Sequence, residues 1–115
     1  MDKPENKRRG SLSTDPKVQR TKGIKRVTLT YDKDNMMCYF YIDKGSELAM
    51  HTHPESQIGI VLKGRVDFIK GDGELLELVA GDSYYFAGMD PHGLKAHEDV
   101  ELLECFSPAR NDYKD

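Results

Sequence analysis

From about Gly23 onward the chain is a succession of short runs in which apolar and polar residues alternate, each of strand length and each closed by turn residues. The runs are KRVTLTY, NMMCYFYID, ELAMH, QIGIVLK, RVDFIK, ELLELV, SYYFA and VELLECF; between them fall DKDN, KGS, HPES, KG, KGDG, AGD and GMDPHG. Strand side chains alternate between two faces, whereas a helix needs apolar positions three and four apart. No stretch carries the helical period, and no segment repeats. The pattern predicts an all-β antiparallel sandwich or small barrel, with Lys63-Gly64 and Gly71-Asp72-Gly73 as the clearest hairpin turns. At 115 residues the chain can bury one core and form one domain.

Charge divides the chain unevenly. Residues 1–26 hold nine Lys/Arg against three Asp/Glu, a net +6, and the remainder holds eight against seventeen, a net −9. A basic arm, residues 1–22, therefore precedes an acidic body, residues 23–115. The arm has no aromatic residue to stack on a base, which argues against nucleic acid as a partner. It reads as a solvated tail, flexible, resting on its own acidic body or pairing with a neighbouring subunit. Cys38 and Cys105 have apolar surroundings and no C-x-x-C partner, the usage of buried thiols in a reducing compartment. No apolar stretch approaches the roughly 18 residues of a membrane span, so a soluble cytoplasmic protein is expected.

Three histidines and a glutamine stand where such strands can bring them to one point. His51 and His53 are two apart and share a strand face, and Gln57 follows a Pro-containing bend onto the next strand. His92, in GDSYYFAGMDPHG, closes the set. Imidazole suits borderline divalent metals, and four protein ligands with open positions make a reactive centre rather than a closed structural one. Manganese, iron, cobalt, nickel and zinc all satisfy this donor set.

Two strands carry residues that an ordinary core does not explain. In VELLECF the residues Val100, Leu102, Glu104 and Phe106 share a face, so a carboxylate lies among apolar neighbours. An unpaired buried carboxylate is destabilising by several kcal/mol, so Glu104 is expected to line a polar cavity or to meet a cation, with Arg110 as that cation. Tyr84, Tyr85 and Tyr113 are candidates for the cavity mouth. QIGIVLK is apolar on both faces, so the row Ile58, Ile60, Leu62 needs a cover. Either a second subunit packed sheet on sheet or the chain's own N-terminal segment supplies it, and a homodimer is favoured.

The segment from Gly45 to Gly64 resembles the first cupin motif, G-x5-H-x-H-x3-E-x6-G, through Gly45, His51, His53, position 57 and Gly64. Gln57 stands where most cupins have glutamate. Gly81, Asp82 and His92 resemble the second motif, with Ala87 and Met89 at its usual proline and glycine. About four fifths of the chain, ending in ECFSPARNDY, is similar to the small pectin-degradation cupins of the KdgF type. That resemblance implies a single-domain jelly-roll barrel, the conserved double-stranded β-helix, with a metal on His51, His53, Gln57 and His92. It also implies conversion of 4,5-unsaturated uronates from the cyclic hemiacetal to the linear keto form, with Glu104, Phe106 and Arg110 on the substrate side. Position 104 is aspartate in the family pattern, so Glu104 carries its carboxylate one methylene further out.

Three imidazoles and an amide are neutral, so they leave a divalent charge uncompensated and make the site a strong Lewis acid and anion receptor. A uronate suits it. In the expected mechanism Arg110 pairs with the uronate carboxylate, Glu104 shuttles the proton, and Phe106 shapes the wall. The two-histidine-one-carboxylate set of non-haem iron oxygenases is absent. The alternatives are another metal-cupin lyase or dioxygenase, and a non-catalytic sensor that binds a small acid and reports it through the basic arm. An oxygenase would consume oxygen, and a sensor would bind uronate without turnover.

Overall fold

The structure, a computed structural model of the chain, describes residues 4–115. Among these residues ten strands form two antiparallel sheets packed face to face, the expected jelly roll. In chain order they are β1 (Val18–Thr21), β2 (Ile24–Tyr31), β3 (Met36–Ile42), β4 (Glu47–His51), β5 (Ser56–Lys63), β6 (Arg65–Lys70), β7 (Leu75–Val79), β8 (Ser83–Phe86), β9 (His92–Ala96) and β10 (Val100–Ser107). One sheet has the order β1-β2-β3-β10-β5-β8 and the other β4-β9-β6-β7. The eight alternating runs of the sequence are all strands; β1 and β9 are two further ones that the alternation did not reveal.

Alternation sets the core. On β3 the residues Met36, Cys38, Phe40 and Ile42 point inward, and on β10 Val100, Leu102, Glu104 and Phe106 do, so the facing expected of VELLECF holds. Val66, Phe68 and Leu94 answer from the opposite sheet. Burying each large apolar side chain of these rows contributes roughly 1.5–3 kcal/mol.

Lys63-Gly64 is not a hairpin turn. β5 and β6 belong to different sheets and do not pair, so the chain turns a corner there from one layer to the other. Gly64 has φ 84°, and a Cβ on it would collide with the carbonyl oxygen of Asp99, so the corner needs glycine on both counts. The turn at Gly71-Asp72-Gly73 does join paired strands, β6 and β7.

The described part of the N-terminal arm, residues 4–22, lies along β2. Lys7 and Tyr31 exchange backbone hydrogen bonds of 2.8 and 3.1 Å, the Lys7 ammonium pairs with Asp15 at 2.9 Å, and β1 pairs with β2. Val27, on the outer face of β2, is fully buried. The outer row of β5 stays open: Ile58 is 57% exposed and Leu62 46%. No helix among the described residues is long and apolar enough to cross a membrane.

Candidate metal centre and its cavity

His51 ends β4 and His92 begins β9, and the two strands pair with a register shift between Leu48 and His51. Leu48 faces Leu94, so unbroken alternation would set Met50 against His92; the irregularity substitutes His51, and Met50 turns out to solvent. His53 follows in the bend, and Gln57 points inward from β5. The imidazole rings stand 4.5 Å (His51 to His92), 5.1 Å (His53 to His92) and 5.6 Å (His51 to His53) apart between centroids. One nitrogen from each lies within 4.8 Å of the others, so His51, His53 and His92 form a cluster able to hold a divalent metal.

The donor chemistry fits such an ion. His51 Nδ1 is 2.9 Å from the Ala49 carbonyl and His92 Nδ1 is 2.8 Å from the Asp90 carbonyl; a carbonyl only accepts, so each Nδ1 carries the proton and each Nε2 keeps its lone pair. Burial, with the other imidazoles adding to it, holds the His92 pKa down to about 4, and burial followed by the Arg110 charge lowers that of His53. Neutral imidazole is the ligating form. Gln57 Oε1 accepts from His53 Nε2 at 2.8 Å, so this amide oxygen sits beside the cluster on a ring nitrogen that would give up its proton to an ion, and the Gln57 Nε2 is turned the other way.

That amide nitrogen donates to Glu104 Oε2 at 2.9 Å, and the Tyr84 hydroxyl donates to the same oxygen at 2.6 Å. Glu104 is therefore in the buried interior, as its strand position required, but its direct partners are neutral donors. Arg110, expected as its counter-cation, acts on it only through its field. Burial dominates and raises the Glu104 pKa to about 7, against the lowering effects of Tyr84, Arg110 and Gln57. Tyr84 is a partner that alternation alone did not single out. Its cross-strand neighbour is Gly59, and a Cβ there would overlap the Tyr84 ring. Glycine opposite an inward tyrosine was the available signal.

His51, Gln57, His92, Glu104, Phe106 and Arg110 are among the residues that line one cavity of about 310 Å³, while His53 and Tyr84 are buried behind it. The C-terminal segment closes one side. Tyr113 packs edge-on against Phe106 at 5.5 Å, and the Arg110 guanidinium lies 3.9 Å from the Tyr113 ring centre. Buried Arg26 anchors the segment through two 2.9 Å contacts to Asp115, and the Thr28 hydroxyl donates to the Tyr113 carbonyl at 2.6 Å. Tyr113 thus lines the cavity and Tyr84 backs it, whereas Tyr85 faces outward, 62% exposed, because it is one residue out of phase with Tyr84 and Phe86 on β8.

The loop before His92 holds the bend that carries His53. Met89 takes φ 64°, the left-handed conformation that glycine adopts freely, and its N–H donates to the His53 carbonyl at 2.8 Å. The departure from the usual second motif therefore leaves the backbone shape in place.

The model of the cupin domain family matches residues 38–106. The pectin degradation protein KdgF of Dickeya dadantii (strain 3937) is 33% identical over 93 residues, which cover 79% of this chain and 84% of that protein. Among solved structures, an RmlC-like cupin from Shewanella frigidimarina NCIMB 400 is similar with a TM-score of 0.89 at 29% identity, over 96% of this chain and 99% of that one. KdgF from Halomonas sp. is similar with a TM-score of 0.84 at 27% identity, over 91% and 98%.

Proposed function

Since the chain belongs to the cupin family and is closely related to the KdgF-type pectin-degradation proteins, we propose that it is a metal-dependent ring-opening enzyme for 4,5-unsaturated uronate monosaccharides, converting the cyclic hemiacetal to the linear keto form. The observation that carries this reading is the convergence of His51, His92, Gln57, Glu104 and Arg110 on one cavity. His51, His53 and His92, with Gln57 beside them, would hold a divalent ion, which would supply Lewis acidity there. Arg110 binds the uronate carboxylate through its fork. Phe106, its ring 5.4 Å from the Arg110 guanidinium, presents an apolar wall to the sugar. Glu104 takes the proton of the anomeric hydroxyl as the bond between anomeric carbon and ring oxygen breaks, the bonding pair staying on the ring oxygen as an enolate, and then returns that proton to C4 as the enolate becomes a ketone. The reaction is an isomerisation and consumes nothing. Tyr84 and Gln57 both donate to Glu104 Oε2, which fixes the carboxyl in the cavity and favours its ionised form.

Incubation of metal-loaded protein with an unsaturated monouronate, followed by proton NMR, tests the reading. Loss of the cyclic form should be faster than in buffer. Glu104→Gln keeps the shape and removes the proton carrier, so the rate should fall roughly 10²–10⁴-fold. Linearisation no faster than in buffer, or full activity in Glu104→Gln, contradicts it.

The outer groove of β5, β8 and β10, with Ile58, Tyr85, Leu103 and Cys105, supports a homodimer through this face. The unpaired Cys38 and Cys105 support a reducing, cytoplasmic setting.

A further inference from the structure

The basic arm remains unused by the reading above, yet its strand β1 reaches the cavity: Arg20 and Thr21 line it together with Arg110. Arg20 and Arg110 address the same two groups. Both guanidinium groups lie near the Tyr113 ring, at 4.8 and 3.9 Å from its centre. Both also reach one oxygen of Asp112, Arg20 Nη2 at 3.6 Å and Arg110 Nη2 at 3.2 Å. Of the other nearby acids, Glu55 is 3.9 Å from Arg110 Nε, beyond hydrogen-bond range, and Asp115 is held by Arg26. The buried Arg110 Nε finds no hydrogen-bond partner among the described residues.

Asp112 is a loosely held carboxylate. Its side chain is 51% exposed, it sits on the short turn Asn111–Tyr113, it accepts one hydrogen bond, from Arg110 Nη2 at 3.2 Å, and its contact to Arg20 is too long for another. An exposed pair of this kind is weak, so an incoming carboxylate can replace it. We propose that Arg20 is a second anion-binding residue of the cavity, and that Asp112 occupies the carboxylate position between Arg20 and Arg110 until the carboxylate of a uronate displaces it. Arg110 is the inner contact, its side chain 12% exposed, and Arg20 the outer one, 41% exposed. The arm thereby selects acidic over neutral sugars. This inference rests on the uronate reading of the cavity, which it deepens.

Two substitutions in the metal-loaded full chain test it. Steady-state conversion of an unsaturated monouronate would be combined with calorimetric titration of two probes, galacturonate and its neutral methyl ester. Arg20→Gln should raise KM and weaken galacturonate roughly ten-fold, the scale of one hydrogen bond to a charged group, with a smaller effect on kcat, unchanged ester binding and an unchanged thermal midpoint. Asp112→Asn should act in the opposite direction, lowering KM and tightening galacturonate, because it removes the internal competitor. A merely structural Asp112 would give a raised KM. Unchanged uronate affinity in Arg20→Gln, or a raised or unchanged KM in Asp112→Asn, overturns the inference while leaving a functioning enzyme. If wild type neither binds nor converts a uronate, this inference and the function proposed above fall together.

Discussion

Glu104 stands at the balance of opposed effects, with burial raising its pKa and the Tyr84 hydroxyl, the Arg110 charge and the Gln57 amide lowering it. The Tyr84 contact exists because Gly59 leaves room for the ring. Gly59→Ala should push Tyr84 off Glu104, with overpacking of about 1–3 kcal/mol and loss of a hydrogen bond to a charged group that lowers turnover roughly 10–100-fold. Thermal melting and the NMR rate measure the two effects separately. Met89 is the converse case, a side chain held where glycine is at ease. Met89→Gly should raise stability by up to about 1 kcal/mol, since relief of left-handed strain exceeds the added chain entropy; urea unfolding measures this, and a loss of stability would show that the Met89 side chain contributes packing that outweighs the strain.

At the scale of elements, β2 and the C-terminal segment are coupled through Thr28, whose hydroxyl accepts from Arg26 Nε at 3.1 Å and donates to the Tyr113 carbonyl. Thr28→Val keeps the volume and strands both partners, so stability should fall about 1–3 kcal/mol, and KM should rise because Tyr113 supports Arg110. Calorimetry and steady-state kinetics check the pair of effects; an unchanged KM would separate the clamp from the cavity. The inward face of β10, and with it Glu104, was legible because strict alternation survives in that run. β1 escaped notice because VQRT is short and mostly polar. β9 did so because glycine and lysine interrupt HGLKA, where Gly93 lets β4 approach so closely that a Cβ would crowd the Leu48 carbonyl. The shift that turns His51 rather than Met50 inward is a property of strand pairing, and one strand's pattern does not contain it. The same limit applies to Gly64, whose role as a corner depends on which sheet receives β6. The three histidines of the cluster were readable from spacing, whereas the network around Glu104 required the neighbouring strands.

For the whole molecule, one end of the jelly roll is an ordinary apolar core and the other an opening ringed by neutral metal donors and arginines. Among the described residues nothing covers the apolar outer face of β5 and β8, Ile58 and Tyr85 being 57% and 62% exposed. Ile58→Lys should therefore convert a dimer to a monomer in sedimentation equilibrium with little loss of melting temperature; a monomeric wild type would remove that part of the account. The opening is the proposed metal-dependent uronate ring-opening site. Its most direct test follows an unsaturated monouronate by proton NMR with protein that is metal-loaded, then stripped by chelator, then reloaded. Rapid loss of the cyclic hemiacetal is expected with loaded protein, a return to the buffer rate on stripping, and recovery on reloading. Equal rates for loaded and stripped protein would contradict this assignment.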